Sequence, residues 1–291
     1  HAAEHLLVNF ESGKPIDQPC LRAAMETAFG SGDGSGAWIW KDAYDACEAA
    51  QVLLLEKFGP TMIERAGSDL ALITSLARIA ALAPPHTRRS ETSQKLQQFS
   101  TPLPLAGIAA CAAHIQKDDL VLEPSAGTGR LAIHAHMRGA QLQLNELDPV
   151  RADLLSALFP RCDVTRHDAG TIHDRLDPGI RPSVILMNPP FSASPGVEGR
   201  HKGAISDHVL SALARLSDGG RLVLISGSNF SPATSAYRKT FARIAEAATV
   251  RFSVPIAGKL YARHGTTTET RLTVIDKVTG IAAIPEETYF P

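Results

Sequence analysis

The sequence predicts an α/β protein whose doubly wound, seven-stranded and mostly parallel sheet follows a small all-helical domain. Three observations support this fold class. Strand-like and helical segments alternate from Pro102 onward, which is typical of a parallel sheet covered by helices on both faces. Helical periodicity dominates before Pro84-Pro85, where the composition changes. A chain of 291 residues with 44% hydrophobic content can bury one large core and a smaller one.

The amino-terminal part is predicted to hold helices over residues 21–29, 38–58 and 62–82. A glycine-rich stretch at 30–36 and the pair Gly59-Pro60 separate them. The apolar stripes of these helices, including Trp38 and Trp40, are expected to form core. The predicted domains are therefore a helical domain over 1–85, a basic linker segment over 86–101 and a sheet domain over 102–291.

The sheet domain is predicted from seven strand-like runs, at 120–122, 141–144, 163–166, 184–187, 221–226, 250–254 and 270–275. Helical patterns cover residues 131–137, 204–216 and 233–248. Another helix is expected to begin at Asp148-Pro149, with the aspartate as N-cap and the proline in the first turn.

A glycine-containing turn follows the first strand and opens the next helix. It reads Glu123-Pro124-Ser125-Ala126-Gly127-Thr128-Gly129. Glycines let the backbone approach a ligand closely, and the helix start offers unpaired N–H groups. The third glycine of a dinucleotide-binding Gly-x-Gly-x-x-Gly pattern is missing, which disfavours a pyrophosphate site.

Acidic residues stand at the ends of the second and third strands. Glu146 is our candidate to accept hydrogen bonds from ribose hydroxyls, and the alternative is a solvated acid ahead of the next helix. Asp168 could accept a hydrogen bond from an adenine amino group, or it could be an ordinary turn aspartate.

The most informative motif, Asn188-Pro189-Pro190-Phe191, follows the strand-like run 184–187. An amide oxygen and a proline-fixed carbonyl can accept two hydrogen bonds from a planar amine, and an aromatic ring can stack on it. The pattern therefore indicates methylation of an exocyclic or amide nitrogen. The alternative is a strand that simply ends in a proline loop.

Taken together and in this order, these motifs resemble the signature motifs of class I S-adenosylmethionine-dependent methyltransferases, and the Asn-Pro-Pro-Phe motif resembles that of the N6-adenine DNA group. Residues 98–102 resemble the segment that packs over the methionine end of the cofactor. Residues 86–278 also resemble the methylase portion of large bacterial methylase–helicase proteins of the strawberry-notch-like type. The resemblance implies a Rossmann-like fold with the last strand inserted antiparallel. It implies S-adenosyl-L-methionine as cofactor and these contacts to it: Phe99, Thr101, Glu123, Pro124, Ser125, Ala126, Gly127, Gly129, Glu146, Leu147, Asp168, Ala169 and Asn188.

Methyl transfer to an amine is an in-line displacement that needs alignment and charge stabilisation, without a metal or a covalent nucleophile. Asn188 and Pro189 would hold the amine, Pro190 would stiffen the turn, and Phe191 would stack on a flipped base. The leading hypothesis is an N6-adenine DNA methyltransferase. The alternatives are a nitrogen methyltransferase acting on an RNA base or a protein glutamine, and a non-enzymatic module that binds nucleic acid or a partner.

The formal net charge of -1 gives the chain no overall basic character. Basic residues nevertheless cluster where loops are expected to border the pocket, and either phosphate contacts or solvated loop charges would explain them. These candidate nucleic-acid contacts are Arg88, Arg89, Arg200, Lys202, Arg238, Lys239, Lys259 and Arg263. The glycine-bearing loop 192–203 is expected to order over substrate.

Four widely spaced cysteines predict neither a zinc site nor a disulfide framework, and they favour a reducing cytoplasm. No apolar run is long enough to span a bilayer, so no membrane partner is expected. Because the chain starts at His1, we expect a fragment of a longer protein, in which a C-terminal helicase portion could be a partner.

Overall fold

The computed structural model describes residues 1–86, 100–190 and 203–278, and a seven-stranded sheet organises it. The strand order is β3-β2-β1-β4-β5-β7-β6, with β7 antiparallel to both neighbours and the other pairs parallel. The strands are β1 (Leu120–Glu123), β2 (Gln141–Asn145), β3 (Val164–Thr165), β4 (Val184–Met187), β5 (Arg221–Gly227), β6 (Thr249–Ile256) and β7 (Thr270–Asp276). The predicted doubly wound sheet, with its antiparallel last strand, is confirmed.

Helices cover both faces of this sheet. In chain order they are α1 (Ala2–Glu11), α2 (Gln18–Phe29), α3 (Trp40–Ala66), α4 (Asp69–Leu82), α5 (Leu103–Ala113), α6 (Ala132–His136), α7 (Pro149–Leu158), α8 (Ile172–Arg175), α9 (Ala204–Arg215) and α10 (Arg238–Ala247). Helix α5 packs against one face, and α9 and α10 pack against the other. Strand β4 is buried on both sides, as a continuous apolar run in a parallel sheet should be.

The amino-terminal helices also pack against the sheet part of the chain. Ala49 and Leu55 of α3 and Leu76 of α4 share one apolar cluster with Ala132 and Leu144. A second cluster lies among α1, α2 and α3. Helix α3 therefore belongs to both cores, and its position is tied to the β1–α6 and β2 region.

The structure corrects the predicted break at Gly59-Pro60. Helix α3 runs through this pair and ends at Ala66, with Gly67 as its C-cap at a left-handed φ of 67°. A Cβ at Gly59 would lie 2.4 Å from Met137 Cγ, so glycine permits close packing there and does not stop the helix. A single interior proline forfeits one backbone hydrogen bond, and this loss is smaller than the packing gained by a 27-residue helix.

Several element boundaries also differ from the sequence prediction. Helix α1 was not predicted, and β3 comprises two residues where four were expected. The helix predicted over 233–248 begins as a 3-10 turn, Ser235–Tyr237, and continues as α10. Within the described ranges, no helix has both the length and the apolar composition needed to cross a bilayer.

Candidate functional site

A cavity of about 270 Å³ opens at the carboxyl ends of β1, β2, β3 and β4. This is the edge at which parallel α/β sheets bind ligands. Most of the predicted cofactor-site residues line it, namely Thr101, Glu123, Pro124, Ser125, Ala126, Gly127, Glu146, Leu147, Asp168, Ala169 and Asn188. Pro190 lines it as well. The sheet thus brings four separate sequence motifs to one cavity.

The glycine turn after β1 is held by backbone hydrogen bonds and by close packing. Gly127 and Gly129 have positive φ values of 57° and 82°. A Cβ on Gly129 would lie 2.6 Å from Cε2 of Phe159, so this glycine is required by packing against α7 and its end. Gly127 faces the cavity, whereas Gly129 supports the turn from behind.

Glu146 connects the glycine turn to the end of β2. Its Oε2 accepts a hydrogen bond from the Gly127 amide at 2.7 Å, and its Oε1 accepts one from the Asp148 amide at 2.8 Å. The carboxylate lines the cavity but is only 8% exposed. Each oxygen retains a lone pair that could accept from a ligand hydroxyl. Asp148 accepts from the Arg151 amide at 3.1 Å, which confirms its predicted N-cap position.

Glu123 is the cavity-lining carboxyl group with the strongest electrostatic perturbation. Its side chain is 2% exposed, and its Oε2 has no hydrogen-bond partner in the described part of the chain. Burial raises the pKa of Glu123 well above its ordinary value, and the charge of Glu146 adds to this effect. A buried carboxyl of this kind gains most from a ligand that brings a positive charge or an N–H donor.

Asn145, at the end of β2, was missed by the sequence analysis, yet it holds three strand ends together. Its Nδ2 donates to the carbonyls of Pro124 at 2.8 Å and His167 at 2.9 Å. Its Oδ1 accepts from the His167 amide and from Thr165 Oγ1. The buried amide is therefore satisfied, and it sets the spacing between the glycine turn and the loop after β3. The sequence shows Asn145 only as one more polar residue at a strand end.

The loop after β3 contributes Asp168, Ala169 and the neighbouring His208. Asp168 Oδ1 accepts from the Gly170 amide at 2.9 Å, so the aspartate shapes a turn and also lines the cavity. His208 of α9, which the sequence analysis did not identify, is 4% exposed and lines the same end of the cavity. Burial lowers the pKa of His208, which favours a neutral imidazole there.

The motif after β4 places Asn188 beside Thr101. Asn188 Nδ2 donates to Thr101 Oγ1 at 2.9 Å, which directs the amide oxygen away from Thr101. Thr101 lies just before α5, so a contact between distant segments orients the amide. Phe191 and Phe99, the two predicted aromatic contacts, lie outside the described residues, as does most of the loop 192–203.

Helix α3 supports the site from behind. Glu48 Oε2 accepts a hydrogen bond from Thr128 Oγ1 at 2.7 Å, and Arg130 Nη1 lies 3.3 Å from Glu48 Oε1. Asp45 accepts two hydrogen bonds from Arg151, at 2.8 and 3.0 Å. Burial by itself would raise the pKa of Glu48, but Arg130, His86 and Arg151 together lower it. Four buried charged groups thus fasten α3 to the glycine turn and to α7.

The predicted nucleic-acid contacts are only partly described. Arg238, Lys239 and Lys259 are exposed. Arg263 is also exposed, but its guanidinium donates to the carbonyls of Ala81 and Ala83 and so joins the β6–β7 connection to the end of α4. Arg88, Arg89, Arg200 and Lys202 lie outside the described ranges.

The fold is similar to those of solved methyltransferase structures. A proposed class I S-adenosylmethionine-dependent methyltransferase of Listeria monocytogenes, lmo1582, is 13% identical with a TM-score of 0.57, over 99% of this chain and 92% of that one. The proposed RNA methyltransferase PH1948 of Pyrococcus horikoshii is 19% identical with a TM-score of 0.53, over 71% and 98%. The modification subunit of a proposed type I restriction enzyme of Vibrio vulnificus YJ016 is 14% identical with a TM-score of 0.52, over 76% and 52%.

At these identities the likeness concerns the fold, which is that of class I methyltransferases. No protein-family model matches the chain, and no curated protein matches it.

Proposed function

We propose that this chain transfers a methyl group from S-adenosyl-L-methionine to the exocyclic N6 amine of adenine in DNA. The observation that carries the proposal is the position of Asn188, whose oriented amide follows β4 and lines the same cavity as Glu123 and Glu146. The amide of Asn188, which could accept hydrogen bonds from an amine, and the carboxyl groups of Glu123 and Glu146, which could bind a nucleoside ligand, therefore line one cavity.

The cavity residues fit the proposed cofactor by the chemistry of their donors and acceptors. Two backbone amides hold the Glu146 carboxylate in position, and the remaining lone pairs of its oxygens would accept hydrogen bonds from ribose hydroxyls. Glu123 would accept from the ammonium of the methionine part, which would relieve the cost of its burial. Asp168, with neutral His208 beside it, would face the adenine.

S-adenosylmethionine, when bound, supplies an electrophilic methyl group on a positively charged sulfur. The residues of this chain would then align the acceptor nitrogen with that group. Asn188 Oδ1 and the Pro189 carbonyl would each accept one amine hydrogen and favour positive charge as it develops on the nitrogen. A neutral amide suits this position because it adds no third buried carboxylate beside Glu123 and Glu146.

The acceptor is the finer part of the proposal. The exposed Arg238, Lys239 and Lys259 are available for phosphate contacts, which favours a nucleic acid over a protein. DNA is our choice because of the Asn-Pro-Pro-Phe motif. The alternative methyl acceptors are an RNA base and a protein glutamine.

The direct test incubates the purified chain with methyl-tritiated S-adenosylmethionine and separate pools of DNA, RNA and protein. The labelled pool is then digested to identify the modified nucleoside or residue. We expect label in N6-methyladenine from DNA. Label in an RNA nucleoside or in glutamine would overturn the DNA assignment, and cofactor binding without label in any pool would favour a non-enzymatic role.

A variant separates catalysis from cofactor binding. Asn188→Ala should abolish transfer while leaving the dissociation constant of S-adenosylmethionine, measured by calorimetry, nearly unchanged, because the other cavity residues, Glu123 and Glu146 among them, would still hold the cofactor. Asn9→Ala, on α1, is the matched control and should leave both quantities unchanged. Normal turnover by Asn188→Ala would contradict the role assigned to the motif.

A further inference from the structure

Three potential ligand side chains meet behind the glycine turn, outside the cavity described above. Glu48 lies on α3, His86 lies in the segment after α4, and His264 ends the 3-10 turn Gly258–His264 that precedes β7. One ligand atom from each lies within 4.8 Å of the other two. We refer to these three residues as the Glu-His-His cluster.

One oxygen of the buried Glu48 carboxylate is ion-paired with Arg130 but accepts no hydrogen bond from the described residues. The residue is 3% exposed, and its Oε2 accepts from Thr128. Its Oε1 has no hydrogen-bond partner among the described residues, although Arg130 Nη1 lies at 3.3 Å and His86 Nε2 at 3.9 Å. Oε1 thus faces Arg130 and the His86 imidazole without making a hydrogen bond, and a buried oxygen of this kind is open to a further partner, for example an ion.

The two imidazoles are held in place by other contacts. The His86 ring stacks on Tyr44 with a centroid distance of 4.2 Å and an interplanar angle of 16°. The His86 amide donates to the Arg263 carbonyl at 2.7 Å. The His264 ring stands edge-on to His86, with centroids 4.9 Å apart. Because both rings are already packed, ligation would cost little additional side-chain entropy.

We propose that the Glu-His-His cluster binds a divalent transition metal ion of the zinc class. Two imidazole nitrogens and one carboxylate oxygen are ligands typical of zinc, with a fourth position left for water. Zinc–ligand distances of about 2.0–2.2 Å require tetrahedral donors roughly 3.5 Å apart. Glu48 Oε1 and His86 Nε2 are 3.9 Å apart and all three ligand atoms lie within 4.8 Å of one another, so side-chain rotations that bring the donors closer would complete the site.

Arg130 limits the strength of this site without excluding it. A carboxylate has about four lone-pair positions, so Glu48 can accept from Thr128, face Arg130 and ligate a metal together. Hydrogen bonds to a ligating carboxylate are ordinary features of metal sites. The nearby guanidinium charge opposes the metal, so we expect weaker binding than at a site without a neighbouring cation.

A bound ion would join three segments that are far apart in sequence. It would connect α3, the segment after α4 and the β6–β7 connection, beside the Thr128 hydroxyl of the glycine turn. Its role would be structural. The four cysteines take no part in the cluster, which explains why their spacing did not indicate it.

The test titrates the full chain, after treatment with EDTA and gel filtration, with Co²⁺ and then with competing Zn²⁺. We expect saturable binding of a single Co²⁺, visible d–d absorption typical of low coordination, and displacement of that absorption by Zn²⁺. His264→Ala should weaken binding by more than the roughly 10–100-fold that outer-shell changes cost. His86→Ala is a second variant at a partly exposed position, and His5→Ala, on the exposed face of α1, is the matched control.

Circular dichroism verifies that each variant is folded before titration. Binding that is lost in both cluster variants and retained in His5→Ala supports the site. Non-saturable binding by the unmodified chain, or equal affinity in a folded His264→Ala or His86→Ala variant, overturns it. This outcome is independent of the methyltransferase assay, because no step of the titration requires S-adenosylmethionine or a methyl acceptor.

Discussion

The ion pair between Asp45 and Arg151 allows a quantitative test of how firmly α3 supports the site. Asp45 is 6% exposed, Arg151 is also 6% exposed, and two hydrogen bonds of 2.8 and 3.0 Å join them. Burial by itself would lower the pKa of Arg151, but Asp45 raises it above its ordinary value. Asp45→Asn would remove the hydrogen-bonded counter-charge of the buried Arg151 guanidinium and also the carboxylate that pairs with Lys41, at a cost of about 3–5 kcal/mol in the free energy of unfolding.

An exposed ion pair in the same helical segment provides the matched control. Lys57 Nζ lies 2.7 Å from Glu11 Oε1, a separation as short as in the buried pair, but the Lys57 side chain is 57% exposed. Glu11→Gln should therefore cost only about 0–1 kcal/mol. The two single substitutions make the same chemical change and differ in burial.

The assay is urea denaturation followed by circular dichroism, with the dissociation constant of S-adenosylmethionine measured in parallel. We expect Asp45→Asn to lower the urea midpoint strongly and, because Arg151 lies on α7 beside the cavity, to weaken cofactor binding. The double variant Asp45→Asn/Arg151→Met should recover part of the lost stability, since the buried guanidinium is gone while Lys41, whose Nζ lies 2.9 Å from Asp45 Oδ2, still lacks its carboxylate. A loss in Asp45→Asn no larger than that in Glu11→Gln would refute the argument.

Three further predictions concern single cavity or core residues. Because the pKa of Glu123 is raised in the folded state, the unliganded protein should lose stability as the pH rises above the ordinary value of 4.5. Glu123→Gln should remove this loss of stability yet weaken S-adenosylmethionine binding. Thermal melts would measure the change in stability and calorimetry the change in binding, and the prediction requires that the first improve while the second worsens. Gly129→Ala should destabilise the fold by about 1–3 kcal/mol, because the added Cβ would overpack against Phe159. Gly13→Ala is the control, since Gly13 also has a positive φ but has open space around it, and it should cost less in the urea denaturation described above. Equal costs would contradict the packing argument. Burial lowers the pKa of His134 to about 3, so its contribution to stability is present above pH 6.5 and is lost as the pH falls toward 3. His134→Leu should therefore flatten the dependence of stability on pH between these values. An unchanged dependence would exclude His134 as the cause of the loss at low pH.

Much of the sheet follows from local pattern. The run Val184–Met187 is apolar throughout because both faces of a central parallel strand are covered, and a sequence shows such a run directly. Asp148-Pro149 marks a helix start because the N-cap bond to Arg151 spans three residues. Boundaries that depend on distant contacts were wrong, and the clearest is Gly59-Pro60, where packing on Met137 overrides the usual helix-breaking effect.

The candidate site divides in the same way. The motifs around Glu123, Glu146 and Asn188 could be located because parallel strands place their carboxyl ends at one edge, so the order of strand-end residues predicts their proximity. Whether those residues perform methyl transfer to adenine stays a prediction. Asn145, His208 and Glu48 carry no local signal of their positions.

The sequence by itself determined the doubly wound sheet and the edge at which its polar strand ends gather, because periodicity, turn residues and caps act over a few neighbouring positions. Only the tertiary structure decided that α3 lies against the glycine turn and that Glu48 meets Thr128, Arg130, His86 and His264. Those contacts join segments up to about two hundred residues apart, and their geometry depends on how whole helices pack on the sheet. A charged residue can be identified as buried and paired only when the residues packed around it are known, and the sequence alone does not give them.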